Sequence, residues 1–155
     1  MFCFFESGQQ QQVKHLNTSF DHEVASAVLI DVLGRYLFQR RDEVPGILSP
    51  GKVGLFGGQR EMGETYLQCV VREVEEEIGY FVHPERFKFL VPYERLDPIH
   101  GRIRGELLMA HGVPTAKLRI TEGTLLVAER ADLSALEPGF TPSALPALQA
   151  LSTSR

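Results

Sequence analysis

Residues Gly58 to Tyr80 read Gly-Gln-Arg-Glu-Met-Gly-Glu-Thr-Tyr-Leu-Gln-Cys-Val-Val-Arg-Glu-Val-Glu-Glu-Glu-Ile-Gly-Tyr. The stretch predicts a glycine-rich turn feeding a helix that ends in four acids. Thr65 and Gln68 have the form of a capping box, which supplies acceptors for the first free amides. Gly79 suits a left-handed helix end. Leu67, Val70, Val71, Val74 and Ile78 make an apolar stripe whose mean direction lies roughly 130° from that of Glu73, Glu76 and Glu77. The helix can therefore bury one face against a sheet while its acids face a cleft, with Cys69 on the acidic side. Glu73, Glu76 and Glu77, at i, i+3 and i+4, share that second face. Like charge concentrated in this way is best offset by a divalent cation, and Mg²⁺ commonly serves phosphate chemistry.

The elements around this helix alternate strand with loop. Val24 to Asp31 reads as a buried strand, Leu33-Gly34 as a turn, and Tyr36 to Arg40 as the hairpin partner. Pro45, Gly46, Pro50 and Gly51 punctuate a loop from Asp42 to Gly54. Val53, Leu55 and Phe56 then form one short strand delivering Gly57 and Gly58. Phe87 to Pro92, Ile103 to Ala110 and Thr124 to Ala128 are further strand candidates. Arg102, Arg104 and Glu106 alternate with Ile103, Gly105 and Leu107, as on a half-exposed strand. A terminal helix follows Pro138-Gly139, with Ser143 as its cap and Pro146 in its first turn. The expected class is α/β and layered, in one domain over residues 22–155. Residues 1–21 read as a polar, glutamine-rich N-terminal arm, with packing on the domain as one placement.

The chain has 155 residues and a formal net charge of -4. That size suits one ordinary domain. The charge gives no electrostatic case for duplex nucleic acid or a membrane surface, and no apolar run reaches spanning length. Cys3 and Cys69 cannot build a disulfide framework. Phe2 to Phe5 lacks the flanks of a signal peptide. A cytoplasmic enzyme is the expectation. Two placements are open for the apolar N-terminal residues, against the same domain or against a second copy in a homodimer. The histidines show no zinc spacing, and no serine or cysteine lies in a nucleophile arrangement.

With the residues laid out, the motif resembles the Nudix box of the Nudix (MutT-like) hydrolases, Gly-x5-Glu-x7-Arg-Glu-U-x-Glu-Glu-x-Gly-U, where U is a bulky aliphatic residue. Gly58, Glu64, Arg72, Glu73, Val74, Glu76, Glu77 and Gly79 occupy its fixed positions; Tyr80 departs, an aromatic where an aliphatic residue is usual. The likeness extends over residues 22–130. It implies an α/β/α sandwich around a mixed β-sheet. It also implies Mg²⁺-dependent hydrolysis of a phosphoanhydride in a nucleoside diphosphate linked to another moiety, by metal-activated water attack at phosphorus, with Mn²⁺ as a substitute ion.

The resemblance assigns Glu73, Glu76 and Glu77 to the metal, and Glu73 or Glu77 to the proton of the attacking water. It makes the Gly57 carbonyl a backbone ligand. Arg72 enters the catalytic set as an internal ion partner that orients a carboxylate, and Glu64 as its partner or a peripheral ligand. Glu122 is favoured over Glu94 and Glu106 as the extra acid many members bring from outside the box. Gly58, Phe56, and one of Arg40 and Arg41 are candidates for substrate contact, since strand alternation keeps both arginines from serving. Phe56, Tyr93 and Phe89 are candidates to stack a base, with core packing as the competing use of each phenylalanine.

The substrate stays open. Pro92 lies too near the box and Pro98 too far for the proline of the ADP-ribose type. Tyr93 falls short of the tyrosine of the diadenosine polyphosphate type, and no coenzyme A signature precedes the box. A nucleoside triphosphate, a small nucleotide sugar or another diphosphate remains. The alternatives are a catalytically weak nucleotide-binding regulator and an RNA 5′-pyrophosphohydrolase.

Overall fold

A computed structural model describes residues 19–47 and 49–154. Seven strands form one mixed sheet: β1 (His22–Asp31), β2 (Tyr36–Arg40), β3 (Val53–Gly54), β4 (Phe56–Gln59), β5 (Phe87–Asp97), β6 (Gly101–Val113) and β7 (Thr124–Ala128). The order β3-β2-β1-β6-β5 is joined by β4 on β1 and β7 on β2. Among the strands of the described residues, β1 and β6 are the parallel pair and the other pairings are antiparallel. The helices are α1 (Tyr66–Ile78), α2 (Leu133–Leu136) and α3 (Leu145–Thr153).

Strand alternation divides the core into two layers. Ala25, Ala27 and Leu29 of β1 face α1 and pack with Val70, Val74 and Ile78. Val28 and Ile30 face the other way, toward Ala147, Leu148 and Leu151 of α3. Covered on both faces, β1 reads as a near-continuous apolar run rather than a clean alternation. Each fully buried aliphatic side chain contributes about 1.5–3 kcal/mol. The layering is the α/β/α sandwich expected above.

The start and end of α1 follow from the sequence. Thr65 Oγ1 accepts from Gln68 N at 3.1 Å, and Gln68 Oε1 accepts from Thr65 N at 2.9 Å. Gly79, at φ 62°, closes the helix. Two expectations need correction. The segment after Gly51 is two strands, because β3 pairs with β2 while β4 crosses to β1. Ser143 does not cap α3: Ala144 holds that position without a side-chain bond, and Ser143 Oγ lies 3.1 Å from Thr141 Oγ1. Cys69 is fully buried although it flanks the acids, since the glycines of β4 let the helix settle close enough for Sγ to reach Gly58 O at 3.6 Å. Burial pushes its thiol up to about 11, so it stays protonated at neutral pH.

The strand limits of β5 and β6 extend well beyond the expected segments, and α2 carried no distinct signal. Of the expected arm, residues 1–18 lie outside the described residues. Asp21 already joins the sheet end, donating its N–H to Arg102 O at 2.8 Å. Among the described residues no helix is long and apolar enough to cross a membrane.

Candidate active site

Strand β4 and helix α1 meet at two glycines. A Cβ on Gly57 would lie 2.2 Å from Ala25 O, and one on Gly58 would lie 2.5 Å from the carboxyl carbon of Glu73. The absence of side chains lets the acid-bearing helix press its carboxylates onto backbone. Glu77 Oε2 accepts from Gly57 N at 2.9 Å. Glu73 Oε1 accepts from Arg72 Nη1 at 2.7 Å. Glu76 is the outermost of the three, 60% exposed, with Oε2 3.7 Å from Arg72 Nη1.

Arg72 is the hub of this face. Its Nε and Nη2 bond Glu64 at 2.6 and 3.0 Å, and Nη2 also reaches Gln59 O at 3.2 Å. Its hydrogen bonds hold the Glu64 carboxyl down at about 2. Glu64 is thereby committed to the arginine, and the arginine to orienting Glu73.

Glu77 is the electrostatic exception. Burial pushes its carboxyl up to about 7; the Gly57 N–H and the charge of Arg41 act against this, while the charges of Glu73 and Glu122 add to it. Glu122 is thus the acid outside the helix whose field reaches Glu77. Glu94 and Glu106, the competing candidates, line a separate hollow of about 930 Å³ over the first turn of α1, together with Glu64, Tyr66 and Phe89.

The expected convergence of the three helix acids is only partial. They share a face but turn to different partners, and among the described residues no three acidic, histidine or cysteine side chains are gathered into a ready-made metal cluster. The donor chemistry nevertheless fits a hard divalent ion. Glu73, Glu77 and Glu122 are oxygen donors whose mutual repulsion Arg72 and Arg41 only partly offset, the Gly57 backbone is held against Glu77, and Glu76 has room to turn inward.

The two arginines at the end of β2 separate cleanly. Arg40 is exposed and paired through its backbone to Val53 and Thr124. Arg41 lines a cleft of about 410 Å³ that runs from Gly58 and Gln59 over Val24 and Ser26 to Thr141. It also lines a smaller hollow beside Glu122. The 410 Å³ cleft, though smaller than the hollow over α1, is the one that Gly58 lines.

Phe56 does not line either space. It has no exposed surface and sits in the α1-side core, so the expectation of substrate contact fails; its residue follows the alternation of β4 inward. Phe89 is the reverse case, 59% exposed where core packing was the competing use. Tyr93 is buried to 5% exposure but borders the cleft.

Sequence reasoning passed over Arg95, Asp97 and His100 at the far end of the cleft. Asp97 accepts from Ile99 N and His100 N, both at 2.9 Å, and pairs with Arg95. Its position four residues before a glycine at φ 76° was the available signal of a carboxylate-capped turn.

The family model described as NUDIX domain matches residues 21–151. A MutT NUDIX hydrolase from Burkholderia pseudomallei is similar in structure, with a TM-score of 0.69 at 23% identity over 84% of this chain and 97% of that one. A MutT protein from Methanosarcina mazei Go1 gives 0.69 at 17% identity, over 84% and 92%. The MutT from Aliivibrio salmonicida and Vibrio cholerae gives 0.65 at 21%, over 84% and 97%. No curated protein matches the chain.

Proposed function

The chain belongs to the Nudix family of hydrolases, and from that premise we propose that it cleaves the phosphoanhydride of a nucleoside diphosphate linked to another moiety, using Mg²⁺ or Mn²⁺. Glu73, Glu76, Glu77 and Glu122, with the Gly57 carbonyl, would hold the ion. The observation that carries this reading is the packing of Glu77 and Glu73 onto the Gly57-Gly58 backbone, since Gly58 also lines the cleft that Arg41 borders.

When bound, a divalent ion neutralises charge developing on the phosphate oxygens and makes a coordinated water more acidic. The chain's own residues supply the rest. Glu77, whose carboxyl burial raises in the metal-free chain, is the candidate to receive the proton of the attacking water. Arg72 fixes the orientation of Glu73 through the Glu64 fork. Arg41 stands where the cleft meets the acids and offers paired donors to a phosphate. Gly58 lets the diphosphate approach the backbone. Ser26 and Thr141 line the space beyond it, where the group attached to the diphosphate would lie.

The test is a panel of nucleoside triphosphates, nucleotide sugars, ADP-ribose, NADH, dinucleotide polyphosphates and 5′-triphosphorylated short RNA, assayed with Mg²⁺ and Mn²⁺. Turnover that disappears in Glu76→Gln while circular dichroism is unchanged supports the hydrolase. Tight binding without cleavage across the panel would replace it with a nucleotide-binding regulator.

A further inference from the structure

Among the described residues the buried polar or charged side chains are Asp31, Gln39 and Thr141. Gln39 ends a run, Tyr36 to Gln39, that is buried throughout. A buried amide must find partners, and Gln39 Nε2 donates to the carbonyl of Glu122 at 3.0 Å. The segment before Glu122 is tied to the end of α1. Arg119 N donates to Ile78 O at 2.7 Å, Thr121 N to Glu77 O at 3.1 Å, and Thr121 Oγ1 to Glu76 O at 3.2 Å. The residue after it is fixed by contact, since Gly123 adopts φ 64° and a Cβ there would lie 2.3 Å from Arg40 O.

Glu122 is therefore gripped at three consecutive positions, by the helix that carries Glu76 and Glu77 and by strand β2. We propose that Gln39 is a positioning residue which, together with Thr121, fixes the Glu122 backbone beside the end of α1, from where its carboxylate and that of Glu77 would serve one divalent ion. Glu122 lies 45 residues beyond Glu77 in the chain, and of the three anchors Gln39 is the one that binds Glu122 itself. The amide is anchored in the buried run of β2 and its donor is taken up by that carbonyl, so Gln39 acts through Glu122 and not as a ligand. The competing role is structural: the same bond could merely satisfy a buried amide beside the β2–β7 ladder, where Gln39 pairs with Leu125.

This inference rests on the metal reading above, and Mn²⁺ binding separates the two. Free Mn²⁺ is titrated by electron paramagnetic resonance against the full chain, Gln39→Met, Glu122→Gln and the double variant, with the metal-free melting temperature of each recorded alongside. Methionine keeps the length and flexibility of glutamine but cannot donate; Gln39→Leu is the second choice should Gln39→Met fold poorly. Loss of a residue that orients a ligand weakens metal affinity about 10-fold or more. The expected result is such a loss in Gln39→Met and in Glu122→Gln, with no further loss when the two are combined. Unchanged Mn²⁺ affinity in folded Gln39→Met, unchanged affinity in Glu122→Gln, or equal further loss in the double variant would each overturn the proposal. A wild-type chain that binds no Mn²⁺ would instead overturn the metal reading itself, and this inference with it.

Discussion

Glu77 takes a hydrogen bond from the backbone N–H of Gly57 at 2.9 Å, across twenty residues of sequence. This contact joins the end of the acidic helix to the strand that borders the cleft. It also encloses a carboxylate close to two others, which is unfavourable until something positive arrives.

That penalty has a pH signature in the metal-free protein. The Glu77 carboxyl is raised from 4.5 to about 7 in the folded state. Between those values the folded chain binds a proton that the unfolded chain releases, so stability falls as pH rises through the window. Allowing for partial exposure, the loss is about 1–3 kcal/mol. Urea unfolding in EDTA at pH 5 and pH 8 should show it, and Glu77→Gln should largely remove it. A wild-type minus Glu77→Gln difference that does not change with pH would contradict this account.

Arg72 binds Glu64 through two nitrogens and Glu73 through a third. Lysine can supply the charge but not the fork. Arg72→Lys is expected to lower kcat about 10-fold or more while KM moves little, because the Arg72 donors are taken up by Glu64 and Glu73. Equal activity in the lysine variant would show that charge alone suffices.

The two glycines predict opposite failures. At Gly57 an added methyl meets the backbone of Ala25 and Ser26 at a φ of 152°, so nothing nearby can yield. Gly57→Ala should destabilise the fold by at least about 3 kcal/mol. At Gly58 the obstacle is the end of the Glu73 side chain, which can rotate away. Gly58→Ala should melt within a few degrees of the parent but bind Mn²⁺ more weakly. Thermal melts and Mn²⁺ titration of the pair distinguish the two cases.

These contrasts also show why some of the site was legible and some was not. Helix α1 could be read to its ends because Thr65, Gln68 and Gly79 are local signals acting within one turn. The side chains of Glu73, Glu76 and Glu77 share a face for the same reason. Their partners were not legible, since the Arg72 fork and the Gly57 contact depend on how closely β4 approaches the helix. Phe56 was misplaced because a single residue of register decides which face of a strand a side chain takes. Gln39 belongs to the strand end that resembles the family, but its bond to the Glu122 carbonyl spans 83 residues and leaves no local signal.

Arg40 and Arg41 are neighbours with the same charge, and strand alternation sends them to different environments. Arg40 is exposed and borders neither the cleft nor the hollow beside Glu122; Arg41 borders both, and its charge lowers the Glu77 carboxyl. A guanidinium that grips a phosphate in the transition state is worth more than one at the solvated edge of a sheet. Arg41→Ala is therefore expected to reduce kcat/KM about 10- to 100-fold, which corresponds to about 1.4–2.7 kcal/mol. Arg40→Ala should stay within about 3-fold of the parent. Because Arg41 also tempers Glu77, its removal should raise the lower inflection of the kcat/KM profile with pH, a shift that Arg40→Ala leaves absent. Steady-state kinetics from pH 5.5 to 9 on whichever substrate the panel identifies would measure both effects (the pH limits being about one to two units either side of a group near 7). Equal losses in the two variants would mean that the cleft does not receive the diphosphate at Arg41.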